Sequence, residues 1–131
     1  MNKAAILIPI AHSLWVAFVI FGALATRGRL WFSTLHILAS ISAIFTLNNV
    51  YPCPLTLAEN YFVGRAGMPT YQGRFLVHYL THYVSPALTA GLIVTVGVAI
   101  CCFNLGIYAR RYWRHRLALR AALQPEAASA D

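Results

Sequence analysis

The chain has 131 residues, of which 60% are apolar, ten are basic and three are acidic. A soluble domain of this size needs charge on every exposed face, and a disordered chain needs low apolar content, so both classes are excluded. The composition predicts a small membrane protein.

Three apolar stretches are predicted to be transmembrane helices, over about residues 4–25, 30–47 and 87–108. Each has about 18 to 22 residues, enough helix to cross the hydrocarbon core of a bilayer. The first stretch ends in small residues typical of signal-peptide cleavage, but it is longer than the apolar region of a signal peptide, so we expect it to be retained. We predict one integral membrane domain over residues 1–116 and a disordered tail over residues 117–131.

The longest polar connection is the loop 49–74, between the second and third spans. Thr56 and Glu59 have the spacing of a capping box, which predicts a short helix with Thr56 as its N-cap and an end near Gly67. A second short helix is predicted over about residues 71–84. Both should be amphipathic and lie at the membrane surface. The predicted fold is therefore all-α, with three transmembrane and two interfacial helices.

Basic residues are distributed unequally between the two ends of the predicted spans. The side with the turn 26–29 and the C-terminus has seven arginines, whereas the side with the loop 49–74 has three basic residues. The positive-inside rule then makes the C-terminus cytoplasmic and this loop external. This pattern accounts for the net charge of +7, so we expect the lipid bilayer, and no nucleic acid, as a partner.

A motif in the polar loop is similar to one in a known bacterial group. Cys53-Pro54-Leu55-Thr56 is followed by Glu59-Asn60, and His78-Tyr79-Leu80 precedes the third span. With a histidine in each of the first two spans, the chain resembles domain-of-unknown-function family 2784 over about residues 5–110. The resemblance implies a small integral protein of the bacterial inner membrane and implies no reaction. His82 and the basic C-terminal extension depart from the family pattern.

His12 and His36 are predicted at similar depths in the first two spans, where histidines normally face protein or a cavity. Haem b between the two helices could take both imidazoles as axial ligands. In the alternative interpretation, each imidazole is neutral and hydrogen-bonded within the protein. His36, for example, could bond to Ser33 or Ser40. We favour the structural interpretation.

His78 and His82 are spaced i, i+4, which puts two imidazoles on one helical face. They could bind a metal ion, with Cys53 or Glu59 as a third ligand. No HExxH motif accompanies the pair, and histidine is also tolerated at membrane interfaces. The structural interpretation is again favoured.

The loop motif has a catalytic and a structural interpretation. Cys53 could be a nucleophile with His78 as its base. In the favoured structural interpretation, the motif residues shape the loop, cap the following helix and bind backbone; they are Cys53, Pro54, Thr56, Glu59 and Asn60.

Ala87, Gly91, Thr95 and Ala99 recur every four residues in the third span and predict a ridge of small side chains. Such a ridge allows another helix to approach closely. Because three short spans bury little volume, we expect a non-enzymatic accessory or stabilising subunit that binds other membrane proteins or itself. A redox protein that binds haem b or a metal is the alternative.

Overall fold

The computed structural model describes residues 3–26 and 29–122. These residues form no strand; their elements are α1 (Lys3–Ala25), α2 (Leu30–Leu47), α3 (Pro54–Arg65), α4 (Phe75–Tyr79), a turn of π-helix that continues α4 (Leu80–Val84), and α5 (Ala90–Ala122). Helices α1, α2 and α5 are long and apolar enough to cross a membrane. The predicted all-α fold with three membrane-length helices is confirmed, and these helices fit a multi-pass membrane protein.

The three long helices pack around a small apolar centre formed by Val19, Ala39 and Cys101. Most large apolar side chains face outward instead, as Leu24 and Phe103 do. In a bilayer such side chains remain in an apolar environment, so their burial adds little to helix association. Close packing and interhelical hydrogen bonds must therefore hold the bundle together.

Gly22 is the position at which α1 approaches α2 closely. A Cβ atom there would overlap the His36 imidazole, at 2.6 Å from Nε2 and 2.9 Å from Cγ. Gly97 has the same role in α5, where a Cβ atom would lie 2.9 Å from Cδ1 of Leu47. Both glycines provide room for a side chain of α2.

A polar network joins the same three helices. His36 Nε2 lies 3.1 Å from the Val19 carbonyl oxygen, and its Nδ1 lies 3.0 Å from the Tyr108 hydroxyl. Because a carbonyl oxygen only accepts, Nε2 carries the proton, Nδ1 accepts from Tyr108, and the Tyr108 oxygen accepts from the Thr26 hydroxyl. The Asn104 amide also donates to Val19 O, at 2.8 Å. These bonds fix the relative positions of α1, α2 and α5.

The third long helix differs from its predicted bounds at both ends. It begins at Ala90, with the Thr89 hydroxyl accepting the Leu92 N–H at 3.2 Å as a cap, so Ala87 precedes it. It continues to Ala122 because alanine, leucine and arginine are strong helix formers. Residues 117–122, predicted to be disordered, are therefore helical, and residues 123–131 lie outside the described residues.

Helix α3 begins earlier than predicted. Cys53, not Thr56, is its N-cap, and Pro54 occupies the first helical position, where its missing N–H and fixed φ suit the helix. Thr56 and Glu59 lie inside the helix and are buried, so the predicted capping box is wrong. The predicted end is confirmed, since Gly67 follows the last turn with a φ of 72°.

The second short helix begins at Phe75 rather than at residue 71. The side chain of Asn60 accepts from the Tyr71 N–H at 3.1 Å and donates to the Tyr71 carbonyl at 2.8 Å, which holds this segment outside a helix. Gly73 has a φ of 99°, which glycine tolerates and a helix does not contain. The predicted end, at Val84, is confirmed.

We predict that Gly22→Ala destabilises the protein by about 1–3 kcal/mol, because His36 is bonded at both nitrogens and cannot move away. Gly106→Ala is the matched control, since a Cβ atom at Gly106 meets nothing within 4 Å. Thermal unfolding in a mild detergent, followed by circular dichroism, measures both variants. Equal unfolding temperatures for the two variants would contradict this packing.

Candidate functional site

Cys53 lies where the polar loop enters α3. As the N-cap residue it has an extended backbone, with φ −64° and ψ 124°. Its sulfur lies near the first backbone N–H groups of α3, without a hydrogen bond that caps the helix, and 3.7 Å from Nε2 of His12. The thiol is half-buried. The start of one helix thus holds a cysteine beside a histidine of another.

His12 connects the thiol with a carboxylate. It lies in α1 with only 3% of its surface exposed, and its Nδ1 is 3.2 Å from Oε2 of Glu59. Its ring stacks on Phe75 at a centroid distance of 3.8 Å. Since its two nitrogens point to different partners, His12 forms a bridge from Cys53 to Glu59.

Glu59 is fully buried at 0% exposure and is the one acidic residue in the part of the chain that the structure describes. Its second oxygen, Oε1, accepts the Tyr79 hydroxyl at 2.8 Å. Burial raises the pKa of Tyr79 most, and the hydrogen bond to Glu59 and the charge of that carboxylate raise it further. This hydroxyl therefore stays a donor. A buried carboxylate requires such partners, and both of its oxygens have one.

The surroundings of Cys53 favour its thiolate. Burial raises the pKa of the thiol, but the hydrogen bond with His12 and the N–H groups of Thr56 and Leu55 outweigh it. The net effect lowers the pKa of Cys53 from 9.0 to about 7. The thiolate is the nucleophilic form of cysteine, and a helix N-terminus beside a histidine is where reactive cysteines occur.

The predicted pair of His12 and His36 has a different arrangement from the one a haem needs. His12 contacts Cys53 and Glu59, whereas His36 contacts Val19 and Tyr108. Both nitrogens of His36 are bonded within the protein, so neither is free for iron in this arrangement. His36 is hydrogen-bonded, as the structural interpretation expected, but not to the suggested serines: Ser33 donates to the Thr26 carbonyl, and the hydroxyl of Ser40 has no partner in the described residues.

His78 and His82 stack on each other, with parallel rings 6.0 Å apart. His78 also stacks on Tyr71 at 4.0 Å. Desolvation and the neighbouring His82 lower the pKa of His78, which favours a neutral ring. The suggested third ligands, Cys53 and Glu59, contact His12 instead, and no cluster of three metal-ligating side chains occurs in residues 3–26 and 29–122. The histidine next to Cys53 is therefore His12, and not His78 as the sequence suggested.

The remaining loop residues position the site. The prediction that Asn60 binds backbone is confirmed by its two bonds to Tyr71. Thr56 is 95% buried beside Cys53, and its hydroxyl has no partner in the described residues. The Tyr71 hydroxyl lies near Thr56 and Glu59 but makes no hydrogen bond of acceptable geometry.

A cavity of about 760 Å³ lies between α1, α2 and α5 and ends at this site. Cys53, His12 and Thr56 belong to its wall, as do apolar side chains of all three long helices. Ligand sites in proteins have volumes of about 300–1,000 Å³ and combine mostly apolar walls with a few polar groups. The thiol therefore faces a space that can hold a substrate.

The predicted small-residue ridge is reduced to Gly91, Thr95 and Ala99, because Ala87 precedes α5. All three are exposed, and a Cβ atom at Gly91 would meet nothing within 4 Å. No residue among those described packs on Gly91. Close packing inside the protein uses Gly22 and Gly97 instead.

Sequence reasoning missed the partners that complete these contacts. Tyr79 belongs to the His78-Tyr79-Leu80 motif, but the sequence indicates no role for it. Asn104 and Tyr108 lie in the predicted third span, and no contact was predicted for either. The available signal was a single acidic residue, Glu59, between long apolar stretches, because a carboxylate that becomes buried needs a nearby donor.

The chain matches the family described as "Protein of Unknown function (DUF2784)" over residues 3–109. No curated protein and no solved structure matched the chain. The matched region includes α1 to α4 and most of α5, and it contains Cys53, His12 and Glu59. The chain belongs to the DUF2784 family.

Proposed function

We propose that the protein is a membrane-embedded acyl-transfer enzyme, with Cys53 as nucleophile, His12 as its base and acid, and Glu59 as the group that orients His12. One observation carries the proposal: Nε2 of His12 lies 3.7 Å from the Cys53 sulfur, and Nδ1 of the same ring lies 3.2 Å from a Glu59 oxygen. A nucleophile, a base and an orienting group in this order are what covalent catalysis requires. We prefer this enzymatic role to the accessory role because His12 lies beside Cys53, a contact that sequence spacing does not indicate.

The proposed reaction has two steps. The Cys53 thiolate attacks the carbonyl carbon of an acyl ester, and His12, holding the thiol proton, donates it to the leaving oxygen as the C–O bond breaks. Water then attacks the thioester with His12 as base, which releases the carboxylic acid and restores the thiol. Glu59 keeps the His12 ring oriented, and the first N–H groups of α3 favour negative charge at the sulfur.

We predict that p-nitrophenyl acetate gives a burst of p-nitrophenol and an acetyl group on Cys53. Cys53→Ala should abolish both, and His12→Asn should slow the burst by about 10²-fold or more, the usual contribution of a general base. The burst is measured by stopped-flow absorbance and the acetyl group on Cys53 by peptide mass spectrometry. Cys102→Ala is the control, because Cys102 is an exposed cysteine of α5 away from the site.

An undiminished burst in Cys53→Ala would contradict the proposal. The same conclusion would follow if His12→Asn acetylated Cys53 at the wild-type rate.

A second candidate function is the accessory role expected from the sequence. The exposed surface of Gly91, Thr95 and Ala99 supports it, because small side chains with no neighbour in the described residues allow close approach of another transmembrane helix. The helix could belong to a partner protein or to a second copy. This role is compatible with a catalytic site at Cys53.

We predict that Gly91→Leu weakens association by about tenfold or more, because a leucine forces the two helix backbones apart. Analytical ultracentrifugation in detergent and the set of co-purifying proteins are the measurements. Ala17→Leu adds the same bulk at another exposed position, on α1, and should leave association unchanged. Identical assembly of Gly91→Leu and wild type would refute the accessory role.

The proposed location is the bacterial inner membrane, with the C-terminus cytoplasmic and the loop 49–74 external. The excess of arginine beside the turn 26–29 and along α5 supports this orientation. Cys53 would then lie near the external surface. Haem or metal binding has less support, because His36 is bonded at both nitrogens and His12 is bonded to Cys53 and Glu59.

A further inference from the structure

The cavity beside Cys53 is polar at one end and apolar along its length. Its apolar walls come from all three long helices, for example Val16, Ile20, Leu47 and Val96. The lining of α1 extends from His12 to Ile20, eight residues or about 12 Å along the helix axis. An unbranched hydrocarbon chain lying parallel to the helices matches this shape.

The polar end contains three buried atoms that lack a partner in the described residues. They are the hydroxyls of Thr56 and Tyr71 and Nε of Arg74, and all three residues line the cavity. Thr56 is only 5% exposed, so its hydroxyl has little access to water. Buried polar atoms are normally hydrogen-bonded. The Thr56 and Tyr71 hydroxyls lie near each other, so Nε of Arg74 is the atom that a group of a ligand in the cavity would complete.

Arg74 has no negatively charged partner in the described residues. A guanidinium is always protonated, and the one carboxylate in the described residues, Glu59, is already bonded to His12 and Tyr79. The planar fork of arginine suits the oxygens of a phosphate, which it binds through two hydrogen bonds.

We propose that the cavity binds one anionic glycerophospholipid, with an acyl chain between α1, α2 and α5, the phosphate at Arg74 and the acyl ester beside Cys53. The part that concerns the ester rests on the proposed acyl transfer. In that step the Cys53 thiolate attacks the ester carbonyl, and the bond from the acyl carbon to the glycerol oxygen breaks. His12 protonates this oxygen, which yields a lysophospholipid and S-acyl Cys53. Water then releases the fatty acid and restores the thiol.

Trp15 lines the cavity and can report on lipid binding. We would use Cys53→Ala protein, so that binding is measured without acylation. Trp31 and Trp113 are changed to phenylalanine, which leaves Trp15 as the only tryptophan. Phosphatidylglycerol with a brominated acyl chain is titrated in detergent and should quench Trp15 saturably. Dioleoylglycerol, which lacks the phosphate, should compete at least tenfold less well than dioleoyl phosphatidylglycerol.

Two further variants test the two ends of the cavity. Arg74→Gln should weaken phosphatidylglycerol binding at least tenfold and leave dioleoylglycerol binding unchanged. Ile20→Trp, at the end of the α1 lining away from His12 and measured by competition with a radiolabelled lipid, should fill the apolar end and weaken both. Equal affinity for the two lipids, no effect of Arg74→Gln, or quenching that does not saturate would each overturn the inference. A protein or second copy that occupies the cavity would instead prevent the quenching of Trp15, which would also overturn the inference.

The outcome for acyl transfer is read separately, in protein that retains Cys53. Saturable binding without an acyl adduct on Cys53 would support the lipid site and contradict the acyl transfer. Acetylation by p-nitrophenyl acetate without lipid binding would support the acyl transfer and contradict the lipid site.

Discussion

The burial of one carboxylate constrains the outer half of this protein. Glu59 has no access to solvent, and a buried negative charge is tolerated only where donors surround it. Its two oxygens take His12 from α1 and Tyr79 from α4, so the carboxylate links both helices to α3. The same requirement orients the His12 ring, and the ring's other nitrogen then faces Cys53. The arrangement of Cys53, His12 and Glu59 therefore follows from the need of the buried Glu59 carboxylate for hydrogen-bond donors, whether or not the thiol reacts.

A second polar network joins the three long helices nearer the opposite end of the bundle. His36 is bonded to Val19 and Tyr108, and its ring occupies the space left by Gly22. In lipid, apolar contacts favour association weakly, so interhelical hydrogen bonds and close contacts specify the packing. The two histidines of the long helices therefore differ in their surroundings: His36 lies among neutral partners, and His12 lies between a thiol and a carboxylate. This difference separates a packing residue from a candidate catalytic one.

Much of the fold was predictable because it depends on local composition. Length and hydropathy predicted the first two long helices and the start of the third within three residues, but not the end of the third, which continues to Ala122. The glycine at position 67 marked the end of α3. The start of α3 was missed because Thr56 and Glu59 satisfy a local capping pattern, while the carboxylate is in fact bonded to His12, 47 residues away along the chain. The candidate site could not be predicted for the same reason: α1 and α3 meet in space, and sequence spacing contains no information on that contact. The sequence allowed His78 as a base for Cys53 without indicating that the two are close, whereas the histidine in contact with Cys53 is His12.

The most direct test of the account is the pH dependence of Cys53 alkylation by iodoacetamide, followed by peptide mass spectrometry in detergent. Thiolate alone reacts, so the rate follows the ionised fraction, which rises with pH through the pKa. The midpoint for Cys53 should lie near pH 7, because its surroundings lower the pKa of the thiol from 9.0 to about 7. His12→Asn removes the bonded imidazole and should move the midpoint upward. A midpoint near 9 in the wild type, or one that His12→Asn leaves unchanged, would contradict the coupling of Cys53 to His12.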